Sequence, residues 1–123
     1  MTERVPPELQ QYALKAQRIQ NQLAQVVTEK STVEAELREI NIVLSTLEKL
    51  SDDVELYKSV GHLLIKTKKE DVIKELNERK EILDLRLKAI QKQESILRQQ
   101  LSEVQRKLNE LLAKSYQQPA KQG

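Results

Sequence analysis

The sequence predicts a mostly α protein, a long antiparallel two-helix coiled coil whose helices are joined by a central β-hairpin. Three observations lead to this fold class. Charged residues make up 33% of the 123 residues and aromatic residues only 2%, a composition typical of long helices. Heptad repeats cover both halves of the chain. Between them, over residues 54–67, the helical spacing stops and short apolar runs surround a glycine.

The first helix is predicted over residues 6–50. Pro6-Pro7 suit a first turn, because proline has no backbone N–H that would need a partner there. Eleven of the twelve core heptad positions are apolar, and Lys30 is the exception. Asp52-Asp53 then favour a turn. The core positions are Leu9, Tyr12, Ala16, Ile19, Leu23, Val26, Lys30, Val33, Leu37, Ile40, Leu44 and Leu47.

The β-hairpin is predicted over residues 54–67. Gly61 accepts the positive φ that a tight hairpin turn requires, and His62 beside it is expected to be an exposed turn residue. A two-stranded hairpin is marginally stable alone and leaves both edges unpaired, so we expect other chains to complete it. The residues assigned to this assembly are Val54, Leu56, Tyr57, Val60, Gly61, Leu63, Leu64 and Ile65.

The second helix is predicted over residues 68–115, with a capping box from Thr67 to Glu70 at its start. Ten of its twelve seam positions are apolar. The seam runs Ile73, Leu76, Lys80, Leu83, Leu87, Ile90, Glu94, Leu97, Leu101, Val104, Leu108 and Leu111. Residues 116–123 are polar and are predicted to form a disordered tail.

Antiparallel pairing would place Lys30 and Glu94, two charged residues on the seam, in adjacent layers. They either pair and determine the register, as buried polar groups can, or extend separately to water.

Apolar residues off the seam cluster in two places. One cluster, near the hairpin base, fits helix roots packed on an assembled β-platform and comprises Ile42, Val43, Leu50, Val72, Ile82 and Leu85. The second cluster, at the other end of the helices and including seam residues there, is named the tip set: Val5, Leu9, Tyr12, Leu14, Leu111, Leu112 and Tyr116. The tip set either presents apolar surface to a partner or consists of frayed ends with scattered exposed side chains.

Several function classes are excluded by what the sequence lacks. The net charge is +2 without a clustered basic face, so no nucleic-acid partner is expected. Neither a membrane-spanning apolar run nor a signal peptide is recognised, and cysteine is absent, which together indicate a cytoplasmic protein. Because nucleotide-binding, metal-binding and catalytic motifs are also missing, we expect no enzyme activity and no cofactor.

The string LYKSVGHLLIKT, Leu56 to Thr67, resembles the signature of the beta subunits of the prefoldin family. The N-terminal PPELQ, the heptad arms and Arg79-Lys80-Glu81 resemble the family as well. A single hairpin is similar to the beta type, since the alpha type carries a longer linker with two hairpins.

The resemblance implies an ATP-independent chaperone in which two alpha and four beta subunits join their hairpins into an intersubunit β-barrel. It also implies that the tip set holds unfolded polypeptides, which then pass to a group II chaperonin in the cytosol. Three other functions are weighed: a scaffolding coiled coil for a specific partner helix, a transcript-cleavage hairpin and a transfer-RNA-binding arm. A transcript-cleavage hairpin requires acidic residues at its bend, and a transfer-RNA-binding arm requires a basic stripe. This sequence shows neither feature.

Overall fold

Two long helices flank a two-stranded hairpin in the computed structural model, which describes residues 6–117 and the side chains of residues 6–115. The elements in chain order are helix α1 (Pro7–Glu48, 42 residues), strand β1 (Leu56–Val60), strand β2 (Leu63–Thr67) and helix α2 (Lys69–Gln117, 49 residues). This order confirms the predicted fold class. Tyr116 and Gln117, placed by the sequence in a disordered tail, belong to α2, and the rest of that predicted tail lies outside the described residues.

Helix α1 begins at Pro7, as the paired prolines predict. The Pro6 carbonyl accepts the first helical hydrogen bond, from the Gln10 N–H at 3.1 Å, so Pro7 occupies the first-turn position where a missing N–H costs nothing. At the other end, the N–H groups of Lys49 and Leu50 donate to carbonyls three residues back, which tightens the last turn and ends the helix.

The segment after α1 contains the turn that Asp52-Asp53 predict. The Val54 N–H donates to the Ser51 carbonyl at 3.2 Å, and the Ser51 hydroxyl donates to the Asp53 carboxylate. This hydrogen bond lowers the pKa of Asp53 below its usual value, because it stabilises the charged form. The turn directs the chain from the helix into β1.

Strands β1 and β2 pair in an antiparallel ladder from Leu56↔Thr67 to Val60↔Leu63, which leaves a two-residue loop. Gly61 is the first loop residue and has a φ of 59°, and no described non-glycine residue has a positive φ. This combination is the type II′ hairpin turn, whose twist matches that of the flanking strands. A side chain at position 61 would strain the turn, so the conformational freedom of glycine is required here.

Helix α2 begins one residue later than the predicted capping box requires. The Val72 N–H donates to the Lys68 carbonyl, so Lys68 and not Thr67 holds the N-cap position. Thr67 is the last residue of β2 and pairs with Leu56 in the ladder. The capping-box prediction therefore places the N-cap one residue too early, because Thr67 is still paired in the sheet and the helix starts after it.

The contacts of the chain divide it into two units. The terminal unit comprises residues 1–28 and 91–123, and the hairpin unit comprises residues 29–90. The buried apolar residues of the terminal unit are Ala16, Ile19, Leu23, Val26, Leu97 and Val104. Those of the hairpin unit are Val33, Leu37, Ile40, Leu47, Leu83 and Ile90. All twelve are predicted seam positions, which confirms the heptad register through the described part of the chain.

Two ion pairs between the helices of the hairpin unit establish their antiparallel direction. Arg79 on α2 contacts Glu36 on α1 at 2.7 Å, and Arg86 contacts Glu29 at 2.9 Å. Arg86 comes seven residues after Arg79 on α2, and its partner Glu29 comes seven residues before Glu36 on α1, so the two helices run in opposite directions. The short connection through the hairpin makes this direction the accessible one, and burial of each large seam side chain stabilises it by about 1.5–3 kcal/mol.

Candidate interaction surfaces

The hairpin presents apolar side chains to solvent on both of its faces. Val60, Leu63 and Ile65 share one face with Lys58, and Tyr57 and Leu64 lie on the other. Leu64 is 73% exposed and Leu63 is 66% exposed, values unusual for leucine in a strand. We name the five exposed apolar side chains the hairpin surface: Tyr57, Val60, Leu63, Leu64 and Ile65.

The other predicted assembly residues occupy supporting positions. Leu56, at the start of β1, and Val54, just before it, are half-buried, and Gly61 forms the turn. Among the described residues the sheet has two strands, so each strand has one edge without a partner in this chain. Unpaired edges and a two-sided apolar surface are what a strand pair shows when further strands are to be added.

A groove of about 510 Å³ lies between β1 and the helix roots of the hairpin unit. Its apolar lining comes from Val43, Tyr57, Val72, Leu76 and Ile82. Three residues of the predicted base cluster therefore line one groove beside the hairpin. Of the remaining three, Ile42 and Leu85 are strongly exposed and Leu50 is 37% exposed.

Three charged residues that line this groove, Lys58, Glu75 and Arg79, form ion pairs. Lys58 on β1 contacts Glu75 on α2 at 2.5 Å, which attaches the strand to the second helix. Arg79 donates two hydrogen bonds to Glu36, at 2.7 and 3.1 Å, in a bidentate arrangement. The Arg79 guanidinium lowers the pKa of Glu36 through these hydrogen bonds, and Glu36 raises the pKa of Arg79 in return.

Lys69 is a buried cation that the sequence analysis did not identify. The residue is 9% exposed, and its ammonium group donates to the Leu50 carbonyl at 2.7 Å and to the Asp52 carboxylate at 3.3 Å. A cation at the C-terminal end of α1 satisfies a free carbonyl and interacts favourably with the helix dipole. The heptad pattern could have indicated that Lys69 is buried, because this residue lies seven positions before Leu76 and so continues the seam.

The described members of the tip set all belong to the terminal unit. Leu9, Tyr12 and Leu111 are half-buried seam residues, whereas Leu14 is 63% exposed and Leu112 is 40% exposed. Val5 and the side chain of Tyr116 lie outside the described part of the chain. The unit therefore combines a seam that is still partly accessible with exposed leucines beside it.

Lys30 and Glu94, the predicted register pair, are both half-buried seam residues. Lys30 belongs to the hairpin unit and Glu94 to the terminal unit, where the Glu94 carboxylate accepts hydrogen bonds from Arg98 at 2.7 and 3.0 Å. Their pairing remains a prediction.

The described residues provide no cluster of histidine, cysteine or acidic side chains that could hold a metal ion. No helix in the described ranges is both long enough and apolar enough to cross a membrane. His62 is exposed in the hairpin turn, as predicted.

The protein-family comparison matches residues 10–115 to a family described as prefoldin subunit. The beta subunit of prefoldin from Sulfurisphaera tokodaii is 54% identical over 118 residues, 96% of this chain and 94% of its own length. That from Saccharolobus islandicus is 52% identical over 123 residues, 100% of this chain and 98% of its own length.

Two crystal structures share the fold. The prefoldin beta subunit from Thermococcus strain KS-1 has a TM-score of 0.83 and 36% sequence identity, covering 90% of this chain and 97% of its own. The beta2 subunit from the same strain has a TM-score of 0.68 at 20% identity, over 74% of this chain and 97% of its own, and supports the fold alone. The resemblance seen in the hairpin signature is thus confirmed over nearly the whole sequence, and the chain belongs to the prefoldin subunit family.

Proposed function

We propose that this chain is one subunit of an ATP-independent chaperone, in which its hairpin joins hairpins of other subunits and its tip set holds unfolded polypeptides. The observation that carries the proposal is the hairpin surface, which exposes five apolar side chains on a strand pair with two open edges. An alpha-type subunit is the proposed partner, in a complex of two alpha and four beta subunits whose strands close a β-barrel. Barrel closure would remove the open edges.

Client binding is assigned to the tip set because it combines accessible apolar side chains with distance in sequence from the hairpin. One exposed leucine pair gives weak affinity for an unfolded chain. Several subunits around one client raise the effective concentration of such sites, so avidity holds the client without nucleotide. Release then requires only the loss of individual weak contacts, and transfer to a group II chaperonin in the cytosol is the proposed next step.

A second candidate function is a scaffolding coiled coil that binds one specific partner helix. The observation in its favour is the exposed outer surface of the hairpin unit, where Ile42 is 65% exposed and Leu85 is 68% exposed. An amphipathic helix could lie on such a surface.

Native mass spectrometry with an alpha-type prefoldin subunit tests the assembly. We expect a heterohexamer, and a stable homodimer that ignores the alpha-type subunit would favour the scaffold. Aggregation of a denatured client in the presence of the complex tests the activity, and we expect equal protection with and without ATP.

Paired variants separate the two candidate surfaces. Leu14→Ser with Leu112→Ser should abolish most of the protection while the hexamer still forms, because both side chains are exposed and off the seam. The matched control, Leu85→Ser with Ile42→Ser, removes two side chains of the hairpin unit that are more exposed than those of the tip pair. Loss of protection in the control and not in the tip variant, with the hexamer formed in both, would contradict the assignment of client binding to the tip set.

A further inference from the structure

The overall charge of +2 conceals an uneven division between the two units. The described residues of the terminal unit contain seven lysines and arginines against four glutamates, an excess of three positive charges. The hairpin unit contains twelve against fourteen acidic residues, a deficit of two. The cations of the terminal unit are Lys15, Arg18, Lys92, Arg98, Arg106, Lys107 and Lys114.

Four of these cations surround two neighbouring shallow grooves. Lys15 and Arg18 line one groove, and Lys15 also lines the other together with Arg106 and Lys107. The acidic side chains on the same surface are Glu103 and Glu110, and Glu110 lies 3.9 Å from the ammonium group of Lys107. Positive charge is therefore in excess where the grooves open.

An apolar tip residue adjoins this positive surface. Tyr12, a member of the tip set, lines the groove that contains Lys15, Arg106 and Lys107. Lys15, Arg18 and Arg106 are exposed, and the ion pairs of the described residues do not include them. Their charges are thus available to an incoming ligand beside an accessible aromatic ring.

We propose that the terminal unit selects unfolded segments that are acidic as well as apolar. This inference rests on the proposed function and names the chemistry of the client. Charges at the rim of a binding surface accelerate association with a ligand of opposite sign, and the apolar contacts then hold it. A polypeptide that alternates carboxylates with apolar side chains complements both parts of the surface.

Charge complementarity favours polypeptide over nucleic acid. Glu103 and Glu110 lie among the cations, and they would repel a backbone that carries a phosphate at every nucleotide. Tyr12 is the one aromatic residue in the two groove linings, whereas single-stranded nucleic acid is held by successive aromatic platforms.

The test uses the assembled complex and one permanently unfolded protein, reduced and carboxymethylated α-lactalbumin, which is acidic. The comparison probe is the same protein after its carboxyl groups have been amidated with ethanolamine. We expect the acidic form to bind about tenfold more tightly, the sum of a few exposed ion pairs. The difference should shrink with added salt, since the Debye length is about 10 Å at 0.1 M. Equal affinity for the two forms at low salt would overturn the inference.

A triple variant, Lys15→Gln with Arg18→Gln and Arg106→Gln, locates the effect. These three positions are exposed and off the seam, so the fold is expected to persist. The variant should bind the acidic probe more weakly, mainly through slower association, and should bind the amidated probe, which its lysines leave cationic, at least as tightly as the native complex does, so that the preference is lost. A retained preference would contradict the proposal.

The matched control is Lys49→Gln with Lys74→Gln and Lys88→Gln, three exposed cations of the hairpin unit. It changes the net charge equally but leaves the terminal unit intact, so the preference should remain. An equal loss in both triple variants would show that total charge matters and would overturn the assignment to the terminal unit.

Two further outcomes distinguish this inference from the function on which it rests. Binding of neither probe by the native complex would refute the proposed client binding, whereas equal binding of both would refute only the preference for acidic segments. A single-stranded RNA oligonucleotide serves as a third probe. If the native complex bound it more tightly than the acidic probe, and the Lys15, Arg18 and Arg106 variant did not, the surface would be identified as a nucleic-acid surface and the inference overturned.

Discussion

The hairpin unit and the terminal unit each bury predicted heptad positions, yet they differ in what stabilises them and in what they expose. In the hairpin unit, Arg79–Glu36 and Arg86–Glu29 cross between the helices and Lys69 closes the end of α1. The ion pairs described in the terminal unit, Arg98–Glu94 and Lys107–Glu110, join neighbours on α2. Under the proposed function, cross-links suit the unit that would anchor the assembly, and accessible seam residues suit the unit that would bind varied chains.

The exposed surfaces differ in geometry as well. The hairpin surface is carried by paired strands with a single register, which suits a partner of defined shape. The tip set is carried by helix ends with exposed leucines, which suits ligands without a fixed shape. The following predictions test this contrast, from the largest expected effect to the smallest.

Ile65→Lys should abolish assembly with an alpha-type subunit while the chain keeps its helical content. Burying an unpaired ammonium group in a closed sheet costs several kcal/mol, and because each 1.4 kcal/mol is a factor of about ten, this weakens association by orders of magnitude. Native mass spectrometry measures the hexamer, and circular dichroism measures the helices. Gln20→Lys, at an exposed position of α1 outside the hairpin surface, is the control and should assemble normally; an Ile65→Lys protein that assembles normally would refute the role of the hairpin surface.

Leu83→Ala should lower the free energy of unfolding by about 2–5 kcal/mol, the range for a buried leucine that leaves a cavity. Leu83 is 1% exposed, the least exposed of the described seam residues. Urea denaturation at fixed protein concentration gives the value. Leu14→Ala removes the same atoms from an exposed position and should change stability by less than about 0.5 kcal/mol. Similar losses in both variants would contradict the distinction between seam and surface.

Lys69→Met should destabilise the hairpin unit by about 1–3 kcal/mol, because the Leu50 carbonyl loses its charged donor while the apolar part of the side chain is kept. The neighbouring exposed residue provides the control, and Lys68→Met should be nearly neutral. Hydrogen exchange at the end of α1 should rise in the first variant alone. Unchanged exchange there would show that the buried ammonium group is not needed to close the helix.

Glu36 should make a small contribution to the pH dependence of stability. Its pKa is lowered in the folded chain by Arg79, so the stabilisation is present above the pKa of the unfolded state and is lost as the pH falls through the lowered folded value. Glu36→Gln should therefore show a shallower decline in melting temperature on acidification below about pH 4.5. Glu39→Gln, an exposed neighbour on α1, is the control and should follow the native profile.

Much of the fold was predictable from local pattern. The heptads identified all twelve apolar residues that are buried in the described part of the chain, Pro7 marked the start of α1, and Gly61 marked the hairpin turn. Each of these features depends on residues a few positions apart, whose periodicity or backbone preference determines which face is buried or where the chain turns. The residues of the two candidate surfaces were also named from the sequence, because apolar runs around a glycine and apolar residues near the helix ends can be recognised without coordinates.

The sequence by itself therefore determined the seam, the hairpin and the family, since these depend on spacing within short stretches and on one signature string. Only the tertiary structure decided which distant groups meet. Arg79 and Glu36 are 43 residues apart, and Lys69 reaches the Leu50 carbonyl 19 residues back, contacts that require the antiparallel register to exist first. The displaced helix start has the same cause: Thr67 suits a cap or a strand equally in isolation, and pairing with Leu56 assigns it to the strand.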